Sequence, residues 1–346
     1  MRVLFIGGTG NISIAATRLL AEQGVELTLL NGGQREVALP DGVKTIHADI
    51  RDRESAREAL RGEEFDVVAD WVAYVPEHIE TDIELFHDTV SHYVFISSAT
   101  VYRIPSPFFP LVEEAPLENV HWRYARDKIA CEERLRREHE RSGFPVTIVR
   151  PSYTYGETWI PTAIEGQDYT IVERMRRGKK VIVPGDGESL WTMTHNSDFA
   201  RALVGLLGNT KAAGESFHIT SDEVQTWNQI TETIAAAAGF ETEIVHIPSD
   251  FMAAIDPELG AGLLGDKSHS LVFDNAKIKR FVPGWEAVVP FAEGVARSLA
   301  WFDADPARKV VDEEWSAELD RIVAAYEAGW PTVAQANLNE RPRPGL

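Results

Sequence analysis

The chain has one cysteine in 346 residues, Cys131, so no disulfide can form within it. Cys131 sits in a polar, helix-like stretch with no histidine or second cysteine beside it, which suits a structural thiol better than a metal ligand or a nucleophile. The ten histidines are scattered without the spacing of metal ligands, and no metal is expected. Long hydrophobic runs are absent too, since none approaches the ~20 residues that span a bilayer. The first residues lack the cationic segment and apolar core of a signal peptide. A cytoplasmic protein with no membrane partner is the expectation. Positive charge is in deficit: 34 Lys and Arg stand against 54 Asp and Glu, a net charge of −20. Such a surface repels a phosphate backbone, so non-specific nucleic-acid binding is not expected. A small basic pocket for one phosphorylated ligand remains compatible with it.

What is present reads as a globular α/β chain. Hydrophobic residues make up 44% and charged residues 25%, ordinary values for a soluble fold. Apolar runs at residues 3–6, 26–30, 43–47, 65–69, 92–97 and 146–150 read as strands. Helical spacing recurs at 12–23, 55–61, 79–90 and 123–142. Strands alternating with helices predict a doubly wound parallel sheet with helices on both faces. After Pro151 glycine and proline become frequent, and the pattern predicts a smaller lobe interleaved with the first. A stripe of Trp315, Leu319, Ile322, Val323 and Tyr326 marks residues 310–328 as an amphipathic helix, docked on the surface or at an oligomer contact. The division expected is 1–150, 151–305, and a C-terminal helix and tail over 306–346.

Three sites carry chemistry. Gly7-Gly8-Thr9-Gly10-Asn11-Ile12-Ser13 lies between the first strand and the first helix. Glycines let the backbone turn tightly against a pyrophosphate, and the helix N-terminus favours its charge. Gly7, Gly10, Asn11 and Ile12 are therefore candidates for binding a dinucleotide. At the end of the second strand an acid would favour NAD and a base NADP. The chain has Asn31, two glycines, and then Arg35; with Asn31 able to bond a ribose hydroxyl, NAD is favoured. Asp49 and Ile50 end the third strand, where Asp49 can accept from an adenine amino group.

The second site is Ser98-Ala99-Thr100-Val101-Tyr102, at the C-terminal end of the strand over 92–96, the side on which parallel sheets bind ligands. The third is Tyr124-Ala125-Arg126-Asp127-Lys128. Four residues apart on a helix, Tyr124 and Lys128 share a face. An ammonium beside a phenol lowers its pKa, and a serine hydroxyl can hold the same substrate oxygen. Ser98, Tyr124 and Lys128 can thus remove a proton from an alcohol while a nicotinamide takes its hydride.

With these residues in place, the sequence resembles the extended short-chain dehydrogenase/reductases of the NAD-dependent epimerase/dehydratase family. The matching residues are Gly7, Gly10, Asp49, Ser98, Thr100, Tyr124 and Lys128, then Arg150-Pro151, Tyr153, Gly156, Pro184-Gly185-Asp186-Gly187 and Trp285. The resemblance spans about residues 1–305. It implies a Rossmann-type fold, NAD as cofactor, and a homodimer through two paired helices. It assigns Ser98, Thr100, Tyr124 and Lys128 to catalysis, with Tyr124 and Lys128 also reaching the cofactor. Asp70, Tyr74, Ser98, Tyr153, Trp191, His195 and Lys267 are the candidate substrate contacts.

Within that family, Ser98-Ala99-Thr100-Val101-Tyr102 is similar to the sugar 4-epimerases. The 4,6-dehydratases have Asp-Glu where this chain has Ala99-Thr100, so a dehydratase is disfavoured. Trp191 stands where an arginine for the nucleotide diphosphate is expected. The late arginine of nucleotide-sugar epimerases has no match either, and Gly265-Asp266-Lys267-Ser268-His269-Ser270, near that place, could bind phosphate instead. These departures imply an atypical branch. The expected function is epimerisation of a sugar hydroxyl carbon in a nucleotide-sugar or a nucleotide, through a transient ketone. The same residues would serve a net sugar or polyol dehydrogenase or ketone reductase. A non-enzymatic dinucleotide sensor or an RNA-binding relative would not need Ser98, Tyr124 and Lys128 together.

Overall fold

A computed structural model describes residues 1–33, 37–164 and 168–329. Its centre is a seven-stranded sheet. The first six strands in chain order are β1 (Arg2–Ile6), β2 (Glu26–Asn31), β3 (Lys44–His47), β4 (Val67–Asp70), β5 (His92–Ile96) and β6 (Val146–Pro151); the seventh, Ser216–Ile219, comes from the second half of the chain. All neighbours pair in parallel, in the spatial order β3-β2-β1-β4-β5-β6 followed by Ser216–Ile219. The order reverses beside β1, and such a switch point opens a crevice at the strand C-termini.

Both faces are covered, and the strands show why. Successive strand residues point to opposite faces. Val3, Phe5, Val67, Ala69, Val94 and Ile96 enter one core with helix α1 (Ser13–Glu22) and the helix Asn196–Leu206. Leu4, Ile6, Val68, Tyr93 and Phe95 enter the other with α2 (Arg53–Ala59), α3 (Pro76–Phe86) and α4 (Arg123–Ser142). Helix α3 begins three residues before the hydrophobic pattern does, because Pro76 supplies its first turn.

A third core gathers mainly residues after Pro151, with Ala99, Tyr102, Leu111 and Ala115 from the first half. Beside it Val181–Pro184 pairs with Ile244–Ile247, and Tyr153–Tyr155 with Met193–His195. The helix Glu313–Ala328 docks on this core, burying Leu319, Ile322 and Val323. Arg174 ties it down by donating to Ser316 O at 2.7 Å. Among the described residues, no helix is long and apolar enough to cross a membrane.

Candidate active site

Three chain segments converge at the C-terminal ends of β1, β4 and β5. The first is the glycine turn. Gly7 and Gly8 have φ of 93° and 108°, a region that disfavours a side chain. A Cβ on Gly8 would stand 2.8 Å from Leu29 Cδ2, and one on Gly7 would stand 3.1 Å from Val72. The turn delivers the chain into α1, which has no acidic residue in its first turn and no side-chain cap. Its positive end is therefore left for an anion. Asn11 Oδ1, at the tip, is buried without a donor. A close-approach backbone, an uncapped helix and an orphaned polar atom fit the pyrophosphate end of a dinucleotide. Asn31, with its amide nitrogen toward the turn, donates to Gly7 O at 2.8 Å and is committed to holding the turn. Asp49 is exposed and accepts from Arg51 N at 3.0 Å, while Ile50 is buried beneath it. Arg35 lies outside the described residues.

The second segment follows β5. Ser98 Oγ accepts from Thr100 N at 3.2 Å and from Thr100 Oγ1 at 3.0 Å. The Tyr124 hydroxyl is close enough to feel the Ser98 hydroxyl, which acts to lower its pKa. Ser98, Thr100 and Tyr124 thus form one hydroxyl cluster. The third segment is α4. One turn on from Tyr124, Lys128 is buried, and its Nζ donates to Ala73 O at 2.7 Å and Ile96 O at 2.8 Å. The ammonium lies 4.9 Å from the Tyr74 ring centroid, 4.8 Å from Phe95 and 5.9 Å from Tyr124.

The electrostatics differ from the expectation that Lys128 lowers the phenol. Burial pushes the Tyr124 hydroxyl up to about 12, with the Ser98 hydroxyl acting the other way. Lys128 is brought down to about 8, chiefly by burial. The reason is geometric: two carbonyls hold Nζ over ring faces rather than at the phenol oxygen.

A cavity of about 400 Å³ opens over Tyr124, lined by Tyr74, Trp122, Arg126 and Glu258 among others. Tyr74, expected as a substrate contact, stands in the wall of this cavity. Lys267 lies 5.8 Å from the Trp122 ring and 5.6 Å from that of Tyr153, but its charge is paired with Asp266 at 3.6 Å. The segment carrying it is a buried wide helical turn, Leu263–Lys267. Tyr153 donates its hydroxyl to Thr162 O at 2.9 Å. His195 is elsewhere: it caps the helix Asn196–Leu206 and lines a second cavity, of about 320 Å³, shared with Gly10 and Asn11. Two expected substrate contacts are corrected. Asp70 has no exposed surface and accepts from Val72 N and Ala73 N. Trp191 is 1% exposed and packs on Trp227 with centroids 5.1 Å apart. Neither has surface to offer a ligand.

Asn119, which sequence reasoning missed, joins the segments. Its Nδ2 donates to Thr100 O at 3.0 Å and to Gly265 O at 2.7 Å. Its Oδ1 accepts from His121 N and Trp122 N, at the entrance to α4. A lone asparagine in a loop carries no signal of so many partners.

A parallel sheet with a glycine turn at its switch point and a Ser-Tyr-Lys cluster at the end of β5 defines an extended short-chain dehydrogenase/reductase. More narrowly, the chain belongs to the NAD dependent epimerase/dehydratase family, whose model matches residues 3–220. NAD is accordingly its cofactor. The chain is 28% identical over 312 residues to a chloroplast stem-loop binding protein of 41 kDa from Arabidopsis thaliana, covering 86% of this chain and 78% of that protein. It is 24% identical over 292 residues to 2'-dehydrokanamycin reductase from Streptomyces kanamyceticus, covering 83% and 80%. Among solved structures, UDP-glucose 4-epimerase of Thermus thermophilus in complex with NAD superposes with a TM-score of 0.67 at 21% identity. That match covers 88% of this chain and 99% of the other. Among the described residues, no group of three or more His, Cys, Asp or Glu is placed to hold a metal.

Proposed function

We propose that the protein is an NAD-dependent epimerase that inverts a hydroxyl-bearing carbon of a sugar, carried as a nucleotide-sugar or belonging to a nucleotide. The observation that carries this reading is the Ser98–Thr100–Tyr124 hydroxyl cluster beside the buried Lys128. Gly7, Gly10, Asn11 and Ile12 would hold the pyrophosphate, and Tyr124 and Lys128 would meet the nicotinamide end. Ser98 and Thr100 orient the substrate oxygen toward Tyr124, which takes its proton and later gives it back. The phenol, at about 12 in the chain alone, needs a further positive charge to act as a base. When bound, oxidised NAD supplies such a charge and a reversible hydride acceptor. Ala99 and Thr100 offer no carboxyl acid/base pair, which favours inversion over water elimination.

The test is native mass spectrometry of freshly purified protein, followed by incubation with nucleotide-sugars and nucleotides and product analysis by NMR. Expected are a co-purifying dinucleotide and an epimerised product without net cofactor reduction. A protein that takes up no dinucleotide overturns the reading.

A second reading is a net ketone reductase on a glycoside, favoured by the 83% of the chain that aligns with 2'-dehydrokanamycin reductase. Steady consumption of reduced cofactor would select it. The stem-loop binding relative raises a third, RNA binding. The net charge of −20 opposes it, and a gel shift with structured RNA at moderate salt decides it. A homodimer through α3 and α4 belongs to the same proposal and is checked by sedimentation.

A further inference from the structure

Beneath Lys128 lies a pair of acids that the chemistry above leaves unused. Asp70 ends β4 and Asp82 lies in α3, and neither has any exposed surface. Asp70 Oδ1 accepts from Val72 N at 2.5 Å and Ala73 N at 2.9 Å. Asp82 Oδ2 accepts from the Tyr93 hydroxyl at 2.6 Å. The remaining oxygens, Asp70 Oδ2 and Asp82 Oδ1, have no other donor. The two side chains adjoin, and the Asp70 charge acts on Asp82. Two carboxylates offer each other only lone pairs, so their contact is favourable only with a proton between them.

We propose that Asp82 is a neutral acid donating its proton to the Asp70 carboxylate, and that this pair is a positioning device for Lys128. The assignment of the proton follows from the surroundings. Asp70 already receives two amide N–H groups, whereas Asp82 is held well above the usual carboxylate range by burial and then by the Asp70 charge. Like charges so close and so dry cannot both persist.

The link to Lys128 is both structural and electrostatic. Asp70 shapes the turn that presents Ala73 O to Nζ. Its charge also works against the burial that drags the ammonium down. The rings of Tyr74, Phe95 and Tyr124 carry no charge at neutral pH, and the Cys131 thiol is pushed up to about 12 by burial. Glu132 is committed to Arg150 and Arg136. Asp70 is hydrogen-bonded only to neutral groups, so its charge remains for Lys128. Were Asp82 ionised as well, Tyr93 would be its only donor and the repulsion would break the turn.

This inference rests on the reading of Lys128 as the cation of the site, but its test needs neither cofactor nor substrate. In the full chain labelled at aspartate carboxyl carbons, NMR at about pH 7 should show one neutral carboxyl signal. Asp82→Asn, whose amide still donates to Asp70, should remove that signal. With labelled lysine, and Lys128→Arg to identify the resonance, Asp82→Asn should leave the Lys128 titration in place. Asp70→Asn should move it down by about one pH unit, roughly a tenfold loss of proton affinity. A merely structural role would not move that titration. Absence of a neutral carboxyl in the wild-type protein, which requires no variant to fold, overturns the proposal. So does an unmoved Lys128 in Asp70→Asn. A protein that shows both signals but binds no dinucleotide counts for the pair and against the enzymatic reading.

Discussion

Glu132 and Arg150 meet in a two-pronged ion pair with no solvent contact on either side: Nε to Oε1 is 2.9 Å and Nη2 to Oε2 is 2.6 Å. Ser97 adds a hydroxyl donor to Oε1 at 2.6 Å. Glu132 stands four residues after Lys128, which stands four after Tyr124, so all three lie on one face of α4. The pair therefore sets the rotation of that helix against β5 and β6, and with it the aim of the phenol. Glu132→Leu leaves a buried guanidinium without its partner and should cost about 3–5 kcal/mol in urea unfolding. The double variant Glu132→Leu with Arg150→Met should recover most of that loss. A single variant within about 1 kcal/mol of wild type would contradict the account.

Tyr124→Phe keeps the ring against Trp122 and Tyr74 and removes only the proton carrier. Turnover on the substrate found by screening should fall by about 10²–10⁴-fold, with dinucleotide affinity changed little. Parallel loss of both would mean that the hydroxyl supports the fold of the site rather than proton transfer.

Two buried histidines make stability depend on pH. His92 accepts from Gly208 N at Nδ1 and donates from Nε2 to Thr147. His218 donates from Nε2 to Asp274 O and accepts from Tyr102 at Nδ1. Each is neutral with both nitrogens used, and burial lowers each from 6.5 to about 4. The unfolded chain therefore binds these protons first. The stability they contribute is complete above about pH 6.5 and is lost as pH falls from there toward about 4. Between about pH 6.5 and 5 the loss should be roughly 2 kcal/mol for each histidine. Urea midpoints across that range measure it, and His92→Gln should flatten the slope.

Asn119→Ala removes four hydrogen bonds at once and strands the N–H groups that open α4. The expected loss is about 3 kcal/mol. Asn119→Asp keeps both accepting contacts but turns two donors into a carboxylate facing carbonyls, so it should be no better. Equal stability of Asn119→Asp and wild type would show that the Thr100 and Gly265 contacts carry little.

The parts of this molecule that were legible in the sequence are those set by neighbours along the chain. Alternation of Val3, Leu4, Phe5 and Ile6 between two cores follows from strand geometry alone. Tyr124 and Lys128 are a helical turn apart wherever α4 packs. The glycine turn announces itself because Gly7 and Gly8 need φ values that other residues resist. What stayed hidden depends on partners far away in sequence. Nothing near Asp82 reveals Asp70, and nothing near Glu132 reveals Arg150. Trp191 falls at the position of an arginine in similar chains, yet its burial against Trp227 is decided by the distant residues packed around it. The elevated phenol of Tyr124 likewise reflects burial, which spacing does not report.

The glycine turn has one more dependence. Asn11 donates to Thr154 O at 3.2 Å, and Asn196 donates to Asn11 O at 2.7 Å. Gly156 must remain bare there, since a Cβ would strike Asn196 Nδ2 at 2.0 Å. A ribosome that has made residues 7–11 cannot supply their last anchor until it has added 185 residues more. A nascent protein stalled before that point carries the turn without its fastenings.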